Sequence, residues 1–158
     1  MKAELINPFA ESTINVLKTM SQTEVVPGKP SLKSDNKTRG VITGIIGMAG
    51  DQISGNMILS FDAPAILGIV SRMLMEEFKE VNDDVVDAVG ELTNMISGGA
   101  KNLLSKQGYN FAMATPMTLR GETVEIRQLS PAPIITIPFE TPEGKVWVEA
   151  NLGQVTKA

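Results

Sequence analysis

Residues 83–108 read DDVVDAVGELTNMISGGAKNLLSKQG, and their spacing predicts one long helix. Asp83 or Asp84 opens it and Gly108 supplies the stop signal. At 1.5 Å of rise per residue such a helix is roughly 36 Å long. With about 100° of turn per residue, Val85, Val89, Leu92, Ile96 and Leu103 fall on one stripe, the face turned to a core. Asp87, Glu91 and Asn94 gather on the opposite side, with Gly98 one turn further on. Gly99 points back towards the core, where it would admit a closely packed neighbour; Gly98 leaves the polar face bare for an approaching backbone. A mid-helix glycine costs about 1 kcal/mol relative to alanine, and asparagine competes for backbone hydrogen bonds. A helix that keeps these residues along one stripe is suited to docking. Acids and amides on a solvated helix face are also common without any role, so the pattern by itself assigns no chemistry.

Outward from this helix the chain alternates helices and hairpins. Asn7-Pro8 reads as the start of a first helix running to about Met20, with Pro8 in the first turn. Residues 23–26 suggest a short strand and 28–39 a loop. Two β-branched runs, 41–49 and 53–61, flank Gly50-Asp51-Gln52 and predict a hairpin. Gly44, Gly47 and Gly55 weaken those strands unless something packs closely there. Asp62 is placed to cap a helix over 63–75, and an acidic loop follows to Asp84. After the long helix, strands are expected at 112–119, 124–129 and 134–139, the last joined by Thr141-Pro142-Glu143-Gly144 to a strand at 146–152. The expected fold is α+β: an antiparallel sheet with helices packed on one face and, from the matching order of elements in the two halves, a pseudo-twofold internal repeat, with an α+β domain lacking any repeat as the alternative. Residues 1–152 form one domain in this reading, and 153–158 a tail.

Composition narrows the chemistry. The 158 residues include no cysteine and no histidine. Thiol nucleophiles, disulfides, zinc sites with sulfur or imidazole ligands and Ser-His-Asp triads are therefore excluded. A net charge of −4 with scattered basic residues argues against nucleic acid. No apolar run approaches a membrane span, so a soluble cytoplasmic protein is expected. The acidic pairs Glu76-Glu77 and Asp83-Asp84 lack the spacing of a calcium loop, and residues 44–50 (GIIGMAG) lack that of a phosphate loop, so no metal or nucleotide site is expected.

Asp87-x3-Glu91-x2-Asn94, the following glycine pair and Pro116 at the opening of a strand resemble the signature of the CheC, CheX and FliY phosphatases of bacterial chemotaxis. The tetrad alone is weak, because Glu4-Leu5-Ile6-Asn7 also satisfies Glu-x2-Asn. Pro8 disfavours a helical Asn7, so that copy is not expected to present both groups from one helix face. CheC-like members carry two copies of the motif and CheX-like members one. In the first helix Glu11 and Asn15 are spaced by four, with Ile14 where the amide should stand, so the chain looks CheX-like, with one site per subunit.

The resemblance implies a phosphatase acting on the aspartyl phosphate of a CheY-type receiver domain. Asn94 would position the attacking water and Glu91 would pair with the receiver's lysine, both as catalytic residues. Asp87 and Gly98 would contact the partner. Mg2+ would come with the phosphorylated receiver, and the chain would contribute no cofactor. The resemblance further implies a homodimer. The competing reading is a non-catalytic module that docks a receiver or a flagellar-switch protein.

Overall fold

The computed structural model of the chain describes residues 3–127 and 130–155. Its elements are α1 (Ala3–Ser21), β1 (Val26–Pro27), β2 (Ser31–Leu32), β3 (Ile42–Gly50), β4 (Ile53–Phe61), α2 (Ala63–Leu74), α3 (Asp83–Lys106), β5 (Phe111–Met113), β6 (Met117–Arg120), β7 (Ile135–Glu140) and β8 (Lys145–Gln154). Every strand pairing is antiparallel, in the order β1-β7-β8-β4-β3-β5, with β2 also on β7 and β6 also on β3. The order is palindromic: two hairpins meet back to back through β4 and β8, and each is flanked by two short strands.

The core lies between one face of this sheet and the helices. Ile42, Ile46, Met57, Leu59, Phe139, Val146 and Val148 share it with Phe9 and Leu17 of α1, Ile66 and Ile69 of α2, and Val85, Val89, Leu92 and Ile96 of α3. Four of the five residues predicted for the α3 stripe are fully buried, but Leu103 is only half-buried and Leu104 takes its place. The buried row continues as Leu92, Ile96, Ala100 and Leu104, following the i+4 ridge along which helices interlock. Among the described residues no helix is long and apolar enough to cross a membrane.

Local chemistry fixes the helix ends. Asp62 accepts a hydrogen bond from the Ala65 N–H (2.9 Å) to cap α2, and its second oxygen accepts one from Lys145 N–H (2.9 Å), tying the cap to β8. Asn82, not Asp83 or Asp84, caps α3 by accepting from Val85 N–H (3.0 Å); the two aspartates occupy the first turn, where the helix dipole favours them. Gly108 takes φ +91° just past the end, as its C-terminal role requires.

Five further expectations are corrected. α1 begins at Ala3, one turn before Asn7, so Pro8 lies inside the helix. A proline there removes one backbone bond at a cost of about 3 kcal/mol, but Leu5, Ile6 and Phe9 are buried around it, and each such burial contributes about 1.5–3 kcal/mol. The predicted strand 112–119 is broken into β5 and β6 around Pro116, and residues 31–32, read as loop, pair with β7. Of 124–129, only Glu125 makes a bridge, to Lys37; residues 128 and 129 lie outside the described residues. β8 also runs to Gln154, two residues into the stretch read as tail.

Candidate functional site

The polar face of α3 forms one wall of a groove of about 610 Å³, lined by Val86, Asp87, Gly90, Glu91, Asn94, Met95, Pro116 and Thr118. Asp87, Glu91 and Asn94, spaced i, i+4 and i+7, are all exposed along it. The other wall is the start of β6, so the break at Pro116 that split the predicted strand also shapes the site. Glu91 and Asn94 stand 60° apart on the helix by its geometry, close enough to address two atoms of one docked partner.

The helix carrying them is held from three sides. Thr93, one residue before Asn94, is fully buried, and its hydroxyl donates to the Val89 carbonyl (2.7 Å). It sits in the space left by Gly44 of β3, where any Cβ would collide with the Thr93 hydroxyl. This is the close approach that a glycine inside a strand anticipates. Ser12 of α1 donates to the Ile96 carbonyl (2.7 Å), and the same hydroxyl lies where a Cβ on Gly99 would be. Arg120 donates to the Val81 carbonyl (3.0 Å) and pairs with Asp83 (3.5 Å), tying β6 to the N-terminus of α3.

Gly98 stands outside the groove lining, one turn beyond it, with the Met113 methyl the nearest group to a Cβ placed there. Gly90 is the residue that sequence reasoning passed over. It lies on the groove wall beside Glu91, and a Cβ on it would meet the Thr118 methyl at 3.7 Å. Gly90 carries the same mid-helix cost as Gly98. Thr118 and Met95 carried no signal of their own, because strand and helix neighbours of this kind are set by tertiary packing. A larger recess, about 1160 Å³, lies near Gln52, Tyr109, Pro131 and Val155. No carboxylate lines it among the described residues, so its size gives it no claim on the chemistry.

Known proteins bear on this geometry. The family model described as chemotaxis phosphatase CheX matches residues 42–140, a span that contains the whole groove. The CheY-P phosphatase CheX of Thermotoga maritima is 27% identical over 128 residues, covering 80% of this chain and 82% of that protein. A CheC-like superfamily protein from Shewanella sp. PV-4 superposes with a TM-score of 0.90 at 44% identity, covering 97% of this chain and 99% of that one. The CheX–CheY–BeF3–Mg2+ complex from Borrelia burgdorferi gives a TM-score of 0.78 at 28% identity, covering 93% of this chain and 96% of that one.

Proposed function

The chain belongs to the CheX family of chemotaxis phosphatases, and from that premise we propose that it hydrolyses the aspartyl phosphate of a CheY-type receiver domain at the groove where Asp87, Glu91, Asn94 and Pro116 meet. The observation that carries this reading is that single groove, which gathers every side chain of the motif except the glycines beyond it. The Thermotoga relative is named for action on CheY-P, and the Borrelia structure is a complex with CheY, BeF3 and Mg2+. Both support the substrate class.

An acyl phosphate needs little from the enzyme except geometry. Water attacks phosphorus in line with the bond to the aspartyl oxygen; that bond breaks, the carboxylate leaves, and the proton given up by the water goes out with inorganic phosphate or to solvent. Placing the water is therefore most of the work. Asn94 fits it, because its amide oxygen accepts a hydrogen bond from the water while its NH2 donates elsewhere. Glu91 holds a lysine of the receiver and fixes the docking. Asp87 offers a further contact to basic partner surface, and Gly98 leaves room beyond it. Mg2+ belongs to the phosphorylated receiver and is part of the substrate. This division of labour explains how a chain without histidine can act: the leaving group is a stable carboxylate, so no strong base is needed.

The work is read as cytoplasmic, in keeping with a receiver domain as substrate. The chain is further read as a homodimer, supported by the apolar side chains Val26 (66%) and Leu32 (69%) exposed on the short strands at one edge of the sheet. The test of function is direct: a receiver domain phosphorylated on its aspartate is mixed with the protein and phosphate loss is followed. Faster loss than in buffer is expected, with Glu91→Ala slower at low receiver concentration. Equal decay with protein and buffer contradicts hydrolysis, and retained binding with equal decay leaves the non-catalytic docking module.

A further inference from the structure

The face of the sheet turned away from the helices carries a polar cluster that the reaction does not use. Thr136 of β7 lies directly opposite Glu149 of β8, and Ile58 and Ile45 continue that row across β4 and β3. Asn151 stands two residues along β8 from Glu149, so strand alternation puts it on the same face. Lys33 reaches this face from the segment after β2. Its Nζ donates to one Glu149 oxygen (2.7 Å), and neither side chain is more than 2% exposed. Asn151 holds the segment before β7, donating from Nδ2 to the carbonyls of Ser130 (3.2 Å) and Ala132 (2.6 Å). Those carbonyls fix the orientation of the amide, because a flipped side chain would set its oxygen against both.

Three oxygens are left over. Among the described residues, Glu149 Oε2, Asn151 Oδ1 and Thr136 Oγ1 are buried with no hydrogen-bond partner. Glu149, Asn151, Ile58 and Ile45 are all buried, so bulk solvent does not reach the cluster. Orphaned polar atoms gathered in one place are rare in folded proteins. The unused valences say what fits between them. The carboxylate and amide oxygens only accept, the Thr136 hydroxyl both donates and accepts, and the Lys33 ammonium has donors beyond the one given to Glu149. A cation would serve the oxygens but crowd the ammonium that already neutralises the carboxylate. An anion would meet Lys33 and face three oxygens. Only a small neutral molecule that both donates and accepts serves every group.

We propose that Thr136, Glu149 and Asn151 form a binding site for one structural water, which donates to Glu149 Oε2 and Asn151 Oδ1 and accepts from the Thr136 hydroxyl. About three hydrogen bonds are usual for a buried water. The water completes the buried ion pair, since such a pair is stable only when its remaining lone pairs are met. It also joins β7, β8 and, through Asn151, the segment before β7 at a single point, on the face opposite the groove and independent of the chemistry there.

The experiment is a high-resolution crystal structure of the wild-type chain, grown once from sodium and once from rubidium salts. A spherical peak within about 2.7–3.2 Å of at least two of the three oxygens is expected, with no anomalous signal in the rubidium crystals. In solution, a long-lived water should give an NMR cross peak to nearby amide protons of β7 and β8. That peak should weaken several-fold in Thr136→Val, a change of nearly equal shape checked for wild-type thermal melting. A rubidium signal at the trio would make the occupant a cation and overturn the proposal. Direct bonding among the three side chains, a protein side chain in place of the peak, or a cross peak that Thr136→Val leaves unchanged would do the same. The crystals need only the wild-type chain, so the proposal stays open to refutation even if Thr136→Val does not fold.

Discussion

α1 and α3 cross at Ser12 and Gly99, feed one core, and each presents Glu-x2-Asn to solvent, yet only α3 has its acid standing in a groove. The buried faces are alike because a helix over a sheet must cover it with aliphatic side chains, whatever else it does. The exposed faces differ through neighbours. Gly90 and Thr118 leave room beside Asn94, whereas Ala3 and Leu32 take it beside Asn7, and Tyr109 holds Glu4. Fold and site are thus set by opposite sides of the same helices.

If the two helices are equal partners in the core, Leu92→Ala in α3 and Leu17→Ala in α1 should each cost about 2–5 kcal/mol of stability in urea unfolding. Both side chains are fully buried. A loss confined to Leu92→Ala would break the equivalence. A smaller effect separates the halves: Gly44→Ala pushes a methyl against Thr93 under α3 alone and should cost about 1–3 kcal/mol by overpacking. The corresponding positions in the other half are Ile6 and Ile135, so no matching socket exists to test there. A neutral Gly44→Ala would show that Thr93 can move aside and that α3 is less rigidly seated than the geometry implies.

The smallest effect lies at the far end of α1, away from the groove. Arg72 of α2 makes a bidentate pair with Glu143 of the β7–β8 turn (2.7 and 2.9 Å). Hydrogen bonding from Arg72 holds the Glu143 carboxyl below its ordinary value of about 4.5. Because the folded value is depressed, this contribution is present above pH 4.5 and fades as pH falls through the lower folded value. With both side chains about one-third exposed, Glu143→Gln should cost on the order of 0.5 kcal/mol at neutral pH, leaving the hydrogen bonds from Arg72 to the Ser21 carbonyl and the Thr23 hydroxyl in place. Unfolding curves at pH 7 and in acid should show that cost shrinking with acidity; a constant cost would assign it to something other than the charge pair.

Much of this was legible in the sequence where one element decides the outcome. The α3 stripe, the two hairpins and the Asp62 cap follow from local periodicity and turn chemistry, and the motif residues are adjacent on one helix. What was not legible depends on contacts across the chain. The start of α1 is set by burial of Leu5, Ile6 and Phe9, which overrides the local bias that Pro8 imposes. The two-residue strand β2 exists because β7 offers an edge, not because its own sequence favours extension. Lys33 and Glu149 form a buried pair (2.7 Å) on the face of the sheet away from the core, a contact that no spacing rule could anticipate across 116 residues.

The central claim is that Asn94 acts on the reacting water while Glu91 acts on docking, and the split between kcat and KM for a phosphorylated receiver tests it most directly. Asn94→Ala should lower kcat by about 10²-fold, the scale of a lost positioning contact, with KM little changed. Glu91→Ala should raise KM with the smaller effect on kcat. An Asn94→Ala protein with wild-type kcat, or one whose whole defect lies in KM, would contradict the account.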